Sequence, residues 1–310
     1  MKALVTGATG FVGRRLLKSL DRPTILTRDP ARTRGLPRNV EAHAWEPVRE
    51  PPPAAAFEGV DTVFHLAGEP VAGGRWTAER KRRIEESRTI GTRHLVKTLE
   101  TLENRPQVLV SASAIGYYGS RGDELLDESS PPAEGFLGDV CRKWEAEAMK
   151  AEAIGIRVVR IRVGIVLGPG GGALQKMLPP FKLGVGGRLG SGRQWMSWIH
   201  RDDLVAMMLF AAENDAVSGV LNGVAPEPCT NRDFTATLAR RLRRPAIFPA
   251  PAFALKLAMG ELAELLLGSQ RVVPKAASEA GFVFRFGSLD AALADVLNPS
   301  APRLKADDNG

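Results

Sequence analysis

The chain has 310 residues, 44% hydrophobic and 25% charged, a globular balance that argues against disorder and suits one large α/β unit with an added lobe. Its net charge of +7 comes from 42 basic residues scattered among 35 acidic ones. Without an aromatic-interleaved basic stripe this reads as a solvated, arginine-rich surface, and no nucleic-acid partner is expected.

The two cysteines, Cys141 and Cys229, lie far apart and in no metal-ligand spacing, which suits a reduced cytoplasmic protein without disulfides or a metal. MKALVTGATG passes into a strand without an apolar leader, so secretion is not expected. KALVTG, PTILTR, DTVFHLAG and QVLVSAS follow as short runs rich in Val, Ile, Leu and Thr, separated by longer polar–apolar segments. That alternation predicts a parallel sheet with crossover helices on both faces, a Rossmann-type doubly wound α/β fold. EPVREPPPAAAFEG, between the second and third runs, is a proline-rich surface connection, since proline breaks a helix interior. IRVVRIRVGIVLG and GVLNGV add further strands.

From about residue 223 the pattern changes. NRDFTATLARRLRRP and residues 251–268 read as helices flanked by prolines. The expected division is a Rossmann domain over residues 1–222, with 166–200 contributing to a substrate cleft, and a smaller C-terminal lobe over 223–310. In PAFALKLAMGELAELLLG, Lys256, Glu261 and Glu264 recur at amphipathic intervals that a bilayer interior would penalise. No membrane span is read and no membrane partner expected. The tail SAPRLKADDNG is polar and is expected to fray.

TGATGFVGRRLLKSL places Gly7, Gly10 and Gly13 after the first strand, at the opening of a helix. Such glycines let the backbone turn tightly and approach a pyrophosphate, while the helix start offers free N–H groups. Thr9, Phe11 and Val12 complete this half of the expected cofactor site. Thr27 and Arg28 at the end of the second strand, and Leu66, Ala67 and Gly68 at the end of the third, supply the rest. An acidic residue ending the second strand accepts a bond from a ribose 2′-hydroxyl, whereas arginine accommodates a 2′-phosphate. Here the strand ends in LTRDPARTR: Arg28, with Arg32 four residues on and Asp29 off the strand end, predicts NADP(H) over NAD(H). The plainer alternatives are a glycine turn without a ligand and a surface Arg28 paired with Asp29.

TGATGFVG, DTVFHLAG, SASAIGYYG and WIHRDDL occur in the order found in extended short-chain dehydrogenases/reductases, the nucleotide-sugar epimerase and dehydratase group. LAGEPVAGGRW, SRTIGTRHL, CRKWE, VLGPGGGALQKMLPPFKLGVGGRLGSGRQWMSWIHRDDL, GVLNGVAPEPCTNRDF and GSQRVVPKAASEAGFVFRF resemble an atypical subfamily, the epimerase-family or YfcH-like proteins, over nearly the whole chain. The resemblance implies a Rossmann-type domain with a small C-terminal lobe and NADP(H) binding; it supplies no substrate.

In the wider family a tyrosine, followed four residues later by a lysine, opens the catalytic helix, and the lysine lowers the tyrosine pKa and binds the nicotinamide ribose. Aligning Glu145 with the glutamate usual in that helix puts Leu137 at the tyrosine position and Cys141 at the lysine position, within FLGDVCRKWE. Neither can perform the original task. The family's N-x-x-G-T segment is SRTIGT here, with Arg88 replacing asparagine and set to reach cofactor phosphates or ribose. The serine of the constellation corresponds to Ser113 or, because SASAIGYYG runs one residue longer than the common pattern, to Ser111.

Ser113, Cys141 and Tyr117 are the candidates left for catalysis. Cys141 is either a reactive thiol, its pKa lowered by a helix start and by Arg142 and Lys143, or a small apolar core residue. Tyr117 and Tyr118, the chain's only tyrosines, offer an acid or a stacking surface. His65 reads as a fixed strand-end histidine, His200 and Asp203 as structural hydrogen-bonding groups, and Trp144 and Glu145 as anchors of their helix. GPGGGALQKMLPPF and GVGGRLGSGRQWMSW are either a glycine hinge or, with Gln194, Trp195, Ser197 and Trp198, a ligand-facing aromatic and polar wall.

Two functional readings follow. One is an NADP(H)-dependent oxidoreductase of the extended short-chain type, with a nonstandard proton donor and a small-molecule substrate. The other is a noncatalytic NADP(H)-binding regulator acting through a protein partner or a second copy; the cell-division-inhibitor label carried by some relatives belongs with it. A nucleotide-sugar epimerase proper is disfavoured by Leu137 and Cys141.

Overall fold

The structure is a computed structural model in which residues 1–33, 35–37 and 39–298 are described. The tail expected to fray and the side chain of Arg32 lie outside the described residues.

The first half supplies strands β1 (Ala3–Thr6), β2 (Thr24–Thr27), β3 (Glu41–Ala44), β4 (Thr62–His65), β5 (Val108–Ala114) and β6 (Leu125–Leu126), with helices α1 (Gly13–Leu16) and α2 (Ala78–Thr101). The middle adds α3 (Phe136–Met149), β7 (Arg157–Val163), β8 (Ile165–Leu167), α4 (Gly172–Lys182), β9 (Trp195–Met196), β10 (Trp198–His200), α5 (Arg201–Glu213) and β11 (Gly219–Gly223). The remainder holds β12 (Cys229–Thr230), α6 (Asn231–Leu242), α7 (Ala252–Met259), α8 (Glu264–Leu267), β13 (Arg271–Val272), α9 (Lys275–Glu279) and α10 (Leu289–Leu297).

Seven parallel strands form the central sheet in the order β11-β7-β5-β4-β1-β2-β3. The chain runs outward from β1 to β3, then returns to the other side of β1 as β4. This is the Rossmann order with one strand added, and its direction reverses between β1 and β4. The inner strands are apolar runs because both of their faces are covered. On one face α1, α5 and Ala277 close over Val5, Ile25, Val110, Val159 and Ile161; on the other Leu95, Val96 and Leu99 of α2 cover Leu4, Val63, Leu109 and Val158.

Three features differ from the sequence expectation. Strand β3 has no apolar run: EAHA is an edge strand with a half-exposed pattern, and only pairing with β2 defines it. Among the described residues, the connections on either side of β3 carry no α-helix, only 3-10 turns at Pro30–Arg32 and Ala54–Phe57. The run IRVVRIRVGIVLG divides at Gly164, where a Cβ would lie 2.6 Å from the Ser197 carbonyl oxygen. Strand β8 then leaves the sheet to pair with β10. A third apolar cluster, outside the sheet, joins Leu167, Leu174, Phe181 and Trp198 to Phe234, Leu238, Phe286 and Leu293.

Candidate active site

The reversal between β1 and β4 opens a crevice outside their carboxyl ends, and the glycine loop lies there. Gly7 has φ +68°, and a Cβ on it would lie 2.7 Å from the Leu66 carbonyl carbon, so the turn requires glycine and packs against the exit of β4. A Cβ on Gly13 would run into the Gly7 oxygen and Ala8, which fixes α1 tightly on the loop. Gly10 is different: a Cβ there meets only the Gly7 oxygen, at 3.1 Å, and otherwise open space.

The Thr6 hydroxyl accepts the Leu66 and Ala67 N–H groups, each at 3.1 Å, which ties the turn carrying Gly68 to β1. His65 spans Thr6 (2.8 Å) and Thr92 (2.9 Å), and burial lowers its pKa to about 4. It is a neutral strand-end bracket, as expected. At the end of β2, the Thr27 hydroxyl accepts the Asp29 N–H at 3.4 Å, Asp29 caps the Ala31 N–H, and Arg28 is exposed. Sequence reasoning passed over Arg14: its Nε donates to the Thr9 carbonyl at 2.9 Å, and its Nη1 would stand 3.2 Å from a Cβ on Gly35 in the loop after β2. The available signal was a cation directly after the third glycine.

Val12 packs into the apolar layer beneath α1. The ring of Phe11 points to the glycine-rich segment: a Cβ on Gly172 or Gly168 would lie 2.8 or 2.9 Å from it, and one on Gly171 closer still. Arg201 covers the ring at 4.8 Å and donates to the Pro169 carbonyl at 3.1 Å. These glycines therefore make room for the Phe11 ring. The adjacent Arg15–Asp202 pair at 2.8 Å fastens α1 to α5.

Arg88 on α2 stands beside Gly68, where a Cβ would be 3.2 Å from its guanidinium carbon, and donates to the Glu69 and Ile84 carbonyls at 3.0 Å. It covers the Trp144 ring at 5.1 Å and is close enough to Cys141 to stabilise a thiolate electrostatically. That effect loses. Burial, reinforced by Glu145, pushes the Cys141 thiol up to about 11, so the expected lowering does not occur. Arg142 and Lys143 turn away to Asp139 and Glu85 on the surface. Cys141 is a buried, protonated packing residue.

Ser113 and Glu145 form part of a buried polar chain. The Ser113 hydroxyl donates to Glu145 Oε1 at 2.6 Å, and Arg162 grips both carboxylate oxygens at 2.8 and 2.9 Å. Arg162 Nη1 donates to the Tyr118 oxygen at 2.9 Å, and the Tyr118 hydroxyl donates to Asn222 at 2.7 Å. Burial works against the Arg162 charge, but its bonds to Glu145 hold its pKa above the usual value. Burial drives Tyr118 up to about 12. Tyr117, half-buried, stacks on the Arg162 guanidinium at 3.4 Å. Glu145 is thus the hub of this chain rather than only a helix anchor. Ser111 lies deeper along β5, level with His65.

Leu137 packs against the buried cluster of Trp76, Ile84 and Leu262, as do Val71, Phe136 and Met259, so the family's tyrosine position has apolar surroundings. Of the expected wall, Gln194 donates to the Leu189 and Leu266 carbonyls, Ser197 to Gln270, and Trp198 to Glu227. Those three serve the framework. Trp195 stays partly open, bonded to Asp123 at 2.8 Å and covered by Arg271 at 4.5 Å. His200 accepts the Asp202 N–H, and Asp203 accepts those of Arg285 and Phe286, both in structural roles. Among the described residues no cluster of metal-ligating side chains occurs.

A parallel sheet of this order, with a glycine turn at its reversal, is the architecture of the dinucleotide-binding α/β proteins. Residues 3–222 match the NAD dependent epimerase/dehydratase family, to which the chain belongs, and residues 250–296 match a domain of unknown function, DUF1731. The chain is 40% identical over 303 residues to the Arabidopsis thaliana "Epimerase family protein SDR39U1 homolog, chloroplastic", covering 96% of this chain and 87% of that protein. It is 36% identical to "Epimerase family protein YfhF" of Bacillus subtilis, covering 96% and 98%. Among solved structures, human epimerase family protein SDR39U1 (isoform 2) with NADPH matches with a TM-score of 0.86 at 33% identity, over 97% of this chain and all of that one.

Proposed function

We propose that the protein is an NADP(H)-dependent oxidoreductase of the extended short-chain type that works without the tyrosine–lysine pair on a small-molecule carbonyl or alcohol. The loop of Gly7, Gly10 and Gly13 carries this reading, because it leaves open space above Gly10 at the sheet's reversal. The NADPH in the human relative supports it. Gly7, Thr9, Gly10, Phe11, Val12 and Gly13 would hold the pyrophosphate half and Leu66, Ala67 and Gly68 the ribose side. Thr27 and Arg28, joined by Arg14, would take the 2′-phosphate.

Arg88 stands beside Cys141 and keeps a fixed positive charge next to the position that the family's lysine has vacated. The exchange of lysine for cysteine on α3 and of asparagine for arginine on α2 moves the cation to the neighbouring helix. When bound, a nicotinamide dinucleotide supplies a hydride donor or acceptor. Ser113 points its proton at Glu145, which leaves its oxygen to accept a hydrogen bond from a substrate hydroxyl. Tyr117 is the phenol at this strand end that is not fully buried, and it fills the role of proton donor.

The test is to load the protein with NADPH and follow the absorbance of the reduced nicotinamide against a broad panel of aldehydes and ketones. The reading expects loss of hydride to at least one member and slower loss in Tyr117→Phe. Retention of hydride across the panel would refute catalysis. The apolar surroundings of Leu137 and the protonated Cys141 favour a second reading, a noncatalytic NADP(H)-binding regulator. It predicts a protein partner whose affinity differs between the NADPH- and NADP⁺-loaded forms.

A further inference from the structure

Helix α7 has no buried residue, although its sequence AFALKLAM is almost wholly apolar. The expected amphipathic helix over 251–268 is broken by Gly260, at φ +61°, and α7 meets a core cluster through half-buried Met259 at its end. Phe253 and Leu257, one turn apart on it, are 74% and 78% exposed. Beside α7, residues 186–190 run along 248–250: the Phe248 N–H reaches the Gly186 carbonyl at 3.2 Å and the Ala250 N–H the Arg188 carbonyl at 2.9 Å. These two segments bring exposed Leu183, Val185, Ile247 and Phe248 to the same region. Apolar side chains exposed together on this scale mark a contact surface.

Charge identifies what contacts it. The chain has no acidic residue between Glu152 and Asp202, nor between Asp233 and Glu261, although the whole protein carries 35. Those two acid-free segments build this face. Lys182, Arg188, Arg243, Arg244 and Lys256 are exposed around it, and among the described residues none of the five has a carboxylate partner. Arg240 and Arg241, just outside, are paired with Asp290.

We propose, against the sequence expectation of no membrane partner, that this face is a docking surface for an anionic lipid bilayer. Phe253, Leu257, Ile247 and Phe248 would enter the boundary between headgroups and acyl chains while the five cations meet lipid phosphates. A second copy is the poorer occupant. A two-fold contact places a patch against itself, so the five cations would face the same five cations. Contact of this kind lies on the membrane: among the described residues no helix is long and apolar enough to cross one. The proposal is independent of the cofactor reading.

The test is co-sedimentation of the full chain with vesicles of phosphatidylglycerol and phosphatidylcholine, or of phosphatidylcholine alone, at low and high salt. Binding to the anionic vesicles, weakened by salt, is expected. Arg244→Gln with Lys256→Gln should weaken it about 25-fold, at about fivefold per cation. Phe253→Ser with Leu257→Ser should abolish it without lowering the thermal midpoint, since both side chains are exposed. Failure to bind anionic vesicles, or equal binding to neutral ones, would overturn the proposal. So would a dimer in light scattering that the Phe253→Ser/Leu257→Ser variant dissolves.

Discussion

Replacing Glu145 by alanine tests the buried chain at its centre. The Glu145 and Arg162 side chains are 5% and 4% exposed, with the carboxylate held on both oxygens by the guanidinium. Removing the carboxylate strands a guanidinium between β7 and the two tyrosines, and breaking a buried pair from one side costs about 3–5 kcal/mol. A large domain loses about 2–4 °C of Tm per kcal/mol, so Glu145→Ala should melt about 6–20 °C lower in a calorimetric scan. Ser113→Ala, which removes one hydrogen bond and leaves the ion pair, should cost only about 1–2 kcal/mol. The joint variant Glu145→Leu/Arg162→Leu should be more stable than Glu145→Ala, because the buried Arg162 charge goes with its partner and only Arg160, 3.6 Å from Glu145 in the native protein, loses a carboxylate. An unchanged Tm in Glu145→Ala, or a joint variant less stable than the single one, would refute the reasoning.

His65 gives a pH dependence. Burial holds its pKa near 4 against an ordinary 6.5, so between these values the unfolded chain binds a proton that the folded protein does not. Stability should fall as pH drops through that window, by about 3 kcal/mol in all. Urea midpoints across the window should fall less steeply in His65→Gln; parallel curves would contradict the assignment. Burial pushes the Cys141 and Cys229 thiols up to about 11 and about 12, so iodoacetamide at neutral pH should label the protein only after unfolding. Stoichiometric labelling of Cys141 in the native protein would restore the reactive-thiol reading. Gly171→Val should displace the Phe11 ring and weaken NADPH binding severalfold at constant pH, measured by calorimetry; unaltered affinity would disconnect that segment from the nucleotide loop.

The buried strands were legible because a parallel strand covered on both faces must be a continuous apolar run, as in ALVT and TVFH. Strand β3 left no such mark, since an edge strand covered on few sides tolerates Glu41 and His43. The glycine loop could be read because its turn and close packing impose glycine locally. The use of Gly168, Gly171 and Gly172 could not, because the ring they admit lies more than 150 residues away in sequence, at Phe11. The same holds for the Ser113–Glu145–Arg162–Tyr118–Asn222 chain, whose members come from five separate elements. Local sequence left two readings of Cys141 open: adjacent Arg142 and Lys143 suggested an electropositive thiol, but a helix sends neighbouring side chains in different directions, and the buried packing alternative holds.

The most direct test of the cofactor assignment is calorimetric titration of the protein and its Arg28→Ala variant with NADPH, NADP⁺, NADH and NAD⁺. The account predicts binding of the phosphorylated pair in preference to the other, with the preference reduced in Arg28→Ala and further in Arg14→Ala/Arg28→Ala. Absence of binding to all four dinucleotides would leave the Rossmann fold intact and contradict the proposed function.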